Sequence, residues 1–401
     1  MLQGKTVLLG VTGGIAAYKM PNVARMLKKL HCNVHVLMTE NATNFITATT
    51  FETLTGNKCL IDTFDRNFEF SVEHVALAKQ ADLVLLAPAT ANVIGKIANG
   101  IADDMLTTTV MACTCRKLIG PAMNHNMYRN PIVQDNIKKL AGYGYEIIPP
   151  DTGMLANGDI GEGKLPAEEV LVEYVLRELA FPKDLAGKKV LVTAGATQEA
   201  IDPVRYITNH STGKMGYALA KMAVLRGAQV TLVTGKTSLE PPMFLEVVKV
   251  VSAEDMYQQV ISKASEMDVI IKAAAVADYR PKEAASEKIK KSQGTGEIQL
   301  ESTKDILAEL GRMKSAGEIH SFLCGFSMET QNLEENSRAK LEKKNLDLIA
   351  ANNLKVEGAG FGTDTNVITL ISGSGCRHLE QMSKEAAANE ILNEILKCFS
   401  E

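Results

Sequence analysis

Small residues and polar side chains recur in this chain at points where apolar runs stop. Val11-Thr-Gly-Gly-Ile-Ala16 follows the short apolar run Lys5–Gly10. Glycines there allow a tight turn, which aims backbone N–H groups and a helix N-terminus at one point, an arrangement that suits phosphate. The segment does not match G-x-G-x-x-G, and a plain strand-to-helix turn explains it equally well. Pro88-Ala-Thr-Ala-Asn92 closes a second apolar run, Asp82–Ala87. Thr90 and Asn92 offer hydrogen bonds to a ligand or a cap to the next helix. Pro121-Ala-Met-Asn-His-Asn-Met-Tyr128 ends a third run, and Asn124 there either binds a carboxylate or shapes an Asx-turn. His74 stands alone in Ser-Val-Glu-His, a pattern more common for a surface or satisfied core histidine.

The second half repeats this logic with more charge. Asn209, His210 and Ser211 end the polar insert that begins at Asp202. Ala273-Ala-Ala-Val-Ala-Asp-Tyr-Arg-Pro281 ends another apolar run and leads to Lys288-Ile-Lys-Lys291 and Gly294-Thr-Gly296. A basic run is ordinarily a solvated face. Its place after a strand end also fits a loop that covers phosphates. Arg338, Lys340, Lys343 and Lys344 add positive charge, so the set fits an anionic, polyphosphate ligand better than a neutral one. Thr212-Gly-Lys-Met-Gly216 is not a Walker site, because Met follows the lysine and the upstream glycine is missing.

The elements that must position these residues alternate strand and helix. Strands are predicted at 5–10, 34–38, 82–87, 117–120 and 145–148, and helices around Val23–Leu30, over 91–112, 131–140 and 167–179. The uninterrupted run 82–87 reads as a central strand covered on both faces. Residues 149–166 lack periodicity and are long for a loop, which marks a functional segment or a linker. At Lys188 the pattern restarts, with strands at 189–193, 230–233, 247–251, 269–273, 322–326, 346–350 and 367–371 and helices at 212–226 and 384–398. The fold class is therefore α/β, two doubly wound Rossmann-like domains: a flavodoxin-like one over 1–182 and a second over 183–401.

Composition narrows the function classes. The net charge is −4, hydrophobic residues make up 46% and charged residues 22%. That balance argues against a coat for nucleic acid or an anionic membrane. Tryptophan is absent and aromatics reach 5%, which disfavours a multi-site base-stacking platform. No apolar run approaches the ~18 residues of a membrane span, and the N-terminus has no leader pattern, so a cytoplasmic protein is expected. The seven cysteines form no C-x-x-C pair and read as reduced thiols.

Taken together, the segments resemble the bacterial bifunctional enzymes of coenzyme A synthesis, which combine a phosphopantothenoylcysteine decarboxylase with a phosphopantothenate–cysteine ligase. The resemblance rests on Thr12-Gly-Gly-Ile-Ala-Ala-Tyr18, Ala87-Pro-Ala-Thr-Ala-Asn92, Pro121-Ala-Met-Asn124, Asp202-Pro-Val-Arg-Tyr-Ile-Thr-Asn-His210, Ala274-Ala-Val-Ala-Asp278 and Lys288-Ile-Lys-Lys291. It implies FMN in the first domain, along Gly13, Gly14, Ile15, Thr39, Pro88, Ala89, Thr90 and Asn92. His74 and Asn124 are implied as catalytic, with Met123 at the substrate. For the second domain it implies a CTP-dependent ligase in which Asn209 holds an acyl-cytidylate. Ala274, Ala275, Asp278, Lys288, Asp305, Ile306, Phe326, Lys340 and Lys344 would contact nucleotide and substrate, Lys288 with a catalytic part. Mg2+ is expected with CTP, with no protein ligands identified. The partners implied are 4'-phosphopantothenate, L-cysteine and CTP, without nucleic acid or membrane. A homo-oligomer of trimeric flavin domains and dimeric ligase domains is also implied, a dodecamer being one such count.

Two positions depart from the family pattern. Asn157 stands where the loop usually carries the cysteine that donates a proton, and an amide is no useful acid near neutral pH. The proton then comes from Asp159, water or another group, or reduction is impaired. Tyr128 replaces a usual tryptophan, a packing change that should be tolerated. Two other readings share the first domain: a decarboxylase of C-terminal peptidyl cysteines, which leaves the second domain unexplained, and a non-catalytic regulatory flavoprotein, which usually carries acidic extensions, whereas this sequence closes on a helix at Ser400-Glu401.

Overall fold

The computed structural model describes residues 1–64, 73–154, 158–290, 297–329, 332–353 and 362–400. The chain divides into two compact units, Met1–Phe181 and Pro182–Glu401.

The first unit is built on a five-stranded parallel sheet. Its spatial order is Asn33–Met38, Thr6–Val11, Leu83–Ala89, Arg116–Pro121, Glu146–Ile147. In chain order this is 2-1-3-4-5, the flavodoxin-like winding, whose ligand crevice lies where the first and third strands diverge. Leu83–Ala89 is buried at every position, which accounts for its unbroken apolar sequence. The helix Met20–Lys29 turns Val23, Ala24 and Leu27 inward, the 3.6-residue face legible in the sequence.

One expectation is refined and one corrected here. The stretch 91–112 is mostly helical, as expected, in two helices, Ala91–Ala98 and Met105–Ala112. Gly100 takes φ +72°, and Asp104 then starts the second helix with a capping box, its carboxylate accepting from the Thr107 N–H at 2.7 Å. The segment 149–166 is not structureless. Asp151–Met154 pairs antiparallel with Ile160–Lys164 as a ribbon. Its glycines, read as loop composition, serve a close approach: a Cβ on Gly163 would lie 2.3 Å from the Met123 carbonyl oxygen, and one on Gly161 would lie 2.7 Å from His125 Cβ.

The second unit holds an eight-stranded sheet. Its spatial order is Glu246–Lys249, Gln229–Thr234, Lys189–Ala194, Val269–Lys272, Phe322–Glu329, Leu348–Asn353, Ile368–Ser372, Gly375–His378. The first six are parallel and run 3-2-1-4-5-6 in chain order, the dinucleotide-fold winding. The last two add antiparallel strands. The edge strand Gly375–His378 carries Arg377 and His378, and its lack of an apolar alternation hid it from the sequence. The helix Lys214–Leu225 presses on the first strand of this sheet. A Cβ on Gly216 would fall 2.6 Å from Ala194 Cβ and 2.9 Å from the Thr193 oxygen.

Among the described residues, Cys32, Cys59, Cys113, Cys115, Cys324 and Cys376 are free thiols. No helix among them is long and apolar enough to cross a membrane.

Candidate active sites

In the first unit the ends of three adjacent strands converge. Thr12, just past Thr6–Val11, is fully buried. Its hydroxyl donates to the Pro88 carbonyl at 2.6 Å and accepts from the Thr90 N–H at 3.0 Å. One side chain thus locks the two loops of the crevice together. Thr90 caps the helix Ala91–Ala98 by accepting from the Val93 N–H, so the capping reading of this residue holds. Gly14 lies against Thr90 Cγ2, at 3.6 Å from the place its Cβ would take. Gly13 has no room for a side chain: a Cβ would sit 2.5 Å from Asn41 Cβ. Thr39, at the end of Asn33–Met38, is 8% exposed, and its buried hydroxyl has no hydrogen-bond partner. An orphaned hydroxyl beside a glycine cradle is the kind of gap that a polar ligand fills.

A cavity of about 640 Å³ opens beside this crevice. Gly14, Ile15, Met123 and Asn124 line it, together with Tyr18, Lys19, Met154 and Leu165. Ile15 and Tyr18 are 56% and 61% exposed, so its rim is apolar and open. Asn124 accepts from the Asn126 N–H at 2.9 Å, the Asx-type turn anticipated, and caps His125–Arg129. The Met123 N–H donates to the Gly163 carbonyl at 3.0 Å, which seats the ribbon on this loop. His74 begins the helix Glu73–Gln80 and does not line the cavity. Pro88 and Ala89 end the Thr12-bridged strand Leu83–Ala89, and Asn92 lies in the first turn of the helix after it. Asn157 lies outside the described residues. Asp159 is described, with a carboxylate oxygen 3.7 Å from His125 Nδ1. The sequence missed Tyr18, Lys19 and Leu165, because nothing local marks a residue brought in from a helix flank or a ribbon end.

In the second unit the switch point lies between Lys189–Ala194 and Val269–Lys272. A web of short bonds shapes it. The Ala274 N–H donates to Thr193 Oγ1 at 3.1 Å and the Ala275 N–H to the Gly195 carbonyl at 3.0 Å. Asn209 Nδ2 donates to the Ala275 carbonyl at 3.2 Å. Gly195 and Gly213 take φ +77° and +82°, and a Cβ would lie 3.1 Å from the Gly235 oxygen on the first and 3.2 Å from the Gly195 nitrogen on the second, so both need glycine. A cleft of about 310 Å³ results, lined by Asn209, Ala274, Ala275, Asp278 and Phe326 from the sequence-based set. Lys272, Met328, Asn352 and Lys384 also line it and were not anticipated. A lysine closing the apolar run 269–272 was the available signal for Lys272.

The remaining residues of that set are placed around it. Asp305 caps the helix Ile306–Ser315, and its other oxygen meets Lys344 Nζ at 2.7 Å. Burial works against the Asp305 carboxylate, but the Lys344 ammonium and the Ala308 N–H outweigh it and hold its pKa below the usual range. Ile306 is a core residue at 2% exposure, so its side chain is packing. Lys340 Nζ donates to Ser327 Oγ at 3.3 Å. Lys288 is exposed, and the backbone next to it is held: Asp202 accepts from the Ile289 N–H at 3.2 Å and Arg205 donates to its carbonyl at 3.0 Å. The Arg205 guanidinium and three backbone N–H groups push the Asp202 carboxyl well below the carboxylate range. Lys291 and residues 294–296 lie outside the described residues. Among the described residues no cluster of three His, Cys, Asp or Glu side chains could hold a metal.

The flavoprotein family model matches residues 1–180, and the model for the DNA/pantothenate metabolism flavoprotein C-terminal domain matches residues 185–399. The chain is 48% identical to the coenzyme A biosynthesis bifunctional protein CoaBC of Bacillus subtilis (strain 168) over 399 residues, covering 98% of this chain and 97% of that protein. It is 46% identical to the protein of the same name from Vibrio vulnificus (strain YJ016), with 98% of each covered. A crystal structure of the C-terminal domain of a CoaBC protein is 42% identical, covers 54% of this chain and 98% of its own, and gives a TM-score of 0.47.

Proposed function

The chain belongs to the family of coenzyme A biosynthesis bifunctional proteins, and from that premise we propose that each switch point is one active site of a two-step sequence. The second unit joins L-cysteine to 4'-phosphopantothenate, and the first decarboxylates the 4'-phosphopantothenoylcysteine formed. The similarity along the whole length, across both units, supports this reading most strongly.

For the ligase step the proposed nucleotide is CTP. The phosphopantothenate carboxylate attacks the α-phosphorus and pyrophosphate leaves. The cysteine amine then attacks the acyl carbon and CMP leaves. Asn209, tied to the Ala275 carbonyl, orients the acyl group, and the N–H groups of Ala274 and Ala275 are already spent on Thr193 and Gly195, so they shape the floor. The Asp202–Arg205 pair positions the backbone beside Lys288, leaving its ammonium for phosphate oxygens. Mg2+ would arrive with the triphosphate. The described residues offer it no carboxylate cage.

For the decarboxylation the first unit would hold FMN. Gly13, Gly14, Thr39 and the Thr12-bridged loop at Pro88–Thr90 fit such a group, as the cradle and the orphaned hydroxyl indicate. FMN supplies the two-electron oxidation that makes carboxylate loss feasible and takes part in returning those electrons. Asn124 and Met123 hold the substrate at the cavity mouth. His74 would act from a neighbouring copy or after rearrangement, since it does not line the cavity of its own chain. A cytoplasmic homo-oligomer with flavin sites at contacts between copies is part of the same reading.

The test uses purified protein with flavin, phosphopantothenate, cysteine and CTP under anaerobic conditions. CMP should form only when both acyl substrate and cysteine are present. The decarboxylated product should have the mass of 4'-phosphopantetheine. A product lighter by two hydrogens, with flavin left reduced, would assign Asn157 to a site that oxidises only. No CMP under any condition would overturn the ligase half.

A further inference from the structure

The ligase cleft contains an ammonium group that makes no hydrogen bond or ion pair with any described residue. Lys272 ends the central strand Val269–Lys272, between Thr193 and Gly325 of its two neighbours, and so stands at the C-terminal edge of the sheet beside the switch point. It lines the cleft with Ala274, Asp278 and Phe326. No hydrogen bond or ion pair joins its Nζ to another described residue. The other lysines around the cleft are engaged. Lys214 reaches the Gly362 carbonyl at 2.8 Å and Asp364 at 2.7 Å, Lys384 donates to the Thr363 carbonyl, Lys340 to Ser327, and Lys344 to Asp305. Burial pushes the Lys272 amine below the usual lysine range, Lys344 adds to this, and Asp305 and Asp278 only partly offset it. Setting a lysine at the edge of the sheet with no hydrogen-bonded counter-ion among the described residues is costly, and the arrangement makes sense when the paired anion is a ligand.

We propose that Lys272 is a phosphoryl-anion ligand of the ligase cleft, the side chain that ties a phosphate group of a bound substrate to the floor of the switch point. This rests on the ligase reading above. Two substrates carry such a group, the nucleoside triphosphate and the phosphorylated acyl substrate, and the experiment separates them.

Binding of CTP with Mg2+, and separately of 4'-phosphopantothenate, is measured by calorimetry on the full-length protein and on Lys272→Met and Lys272→Arg. The dissociation constant of one ligand should rise at least about tenfold in K272M, as expected for truncating a desolvated charge contact, while the other stays within about twofold. The ligand that weakens is the one Lys272 holds. In buffers of different ionisation enthalpy, wild type should show proton uptake on binding that ligand that grows as pH is raised, because a phosphoryl neighbour favours the charged form of an amine whose pKa burial has lowered. K272R should bind tightly without that uptake, since guanidinium is already charged. A purely structural lysine would not give this signature. Retained affinity of K272M for the other ligand, with a thermal melt matching wild type, checks that the ligase unit is folded, and equal loss of both ligands in K272M and K272R alike overturns the assignment in favour of a structural role. Unchanged affinity of K272M for both ligands, with CMP formed normally by wild type, overturns the assignment alone. Absence of CMP from wild type overturns the ligase reading itself.

Discussion

The two switch points solve one problem in two chemistries. In the flavoprotein unit the converging strand ends carry neutral groups: Thr12 bridges two of them, Thr39 has a spare hydroxyl, and the lysines of the adjoining cavity, Lys19 and Lys164, come from a helix end and the ribbon instead of the sheet. In the ligase unit the equivalent place is set among lysines, with Lys272, Lys214 and Lys384 in the cleft. The backbone is alike in both, a parallel sheet whose winding reverses beside the first strand. What differs is the charge set around each: Lys272 ends a strand, while Lys214 and Lys384 begin helices beside it. Winding thus fixes where a ligand sits, and the side chains on strand ends and adjoining helix starts fix its charge.

The sharpest way to break that comparison is to fill one cradle at a time. Gly216→Val would drive a side chain into Ala194 Cβ and the Thr193 oxygen. Loss of nearly all CMP formation is expected, at an overpacking cost of about 1–3 kcal/mol, with decarboxylation of added phosphopantothenoylcysteine retained. Gly13→Val, against Asn41, should do the reverse and abolish flavin retention, read from the absorbance of the purified protein.

A smaller effect is expected from Thr12→Val. It leaves the Thr90 N–H and the Pro88 carbonyl without their bridge, worth about 1–3 kcal/mol, and should lower the melting temperature as well as weaken flavin binding. The Asp202 clasp gives a pH prediction. Its carboxyl pKa is depressed in the folded protein, so the stabilisation is complete above the ordinary aspartate pKa and is lost as pH falls from there toward the folded value. Protection of the 285–290 segment from hydrogen exchange should therefore hold at neutral pH, weaken under acid, and be weak at all pH values in Asp202→Asn. The smallest effect is that of Thr39→Val. Removing an unpartnered buried hydroxyl should leave flavin-free stability unchanged or slightly raised and loosen flavin only.

Much of this was legible beforehand, and the misses have physical causes. The strand at 82–87 showed itself because central parallel strands are apolar throughout. The strand-end loops showed themselves because small and polar residues interrupted such runs. The ribbon 151–164 did not, since its glycines serve contact with Met123 and His125, residues distant in sequence. The stretch 91–112 reads as mostly helical from its apolar pattern, and its break at 99–104 is marked by Gly100 and the Asp104–Thr107 capping box. Of the site residues, Gly14, Ile15, Met123 and Asn124 line the first cavity, and Asn209, Ala274, Ala275, Asp278 and Phe326 line the second cleft. Gly13, Thr39, Pro88, Ala89, Thr90 and Asn92 lie outside the first cavity's lining, and His74, Lys288, Asp305, Ile306, Lys340 and Lys344 line neither, because a helix or an exposed loop has no fixed relation to the crevice. Lys272 was overlooked because a charge at the end of an apolar run reads as a strand terminus.

The most direct test of two separate active sites is a paired assay on Gly13→Val and Gly216→Val, scoring CMP release and phosphopantothenoylcysteine decarboxylation in each. The structure predicts opposite losses, one activity gone and the other kept in each variant. Parallel loss of both activities in either soluble, folded variant would contradict the assignment of one reaction to each unit.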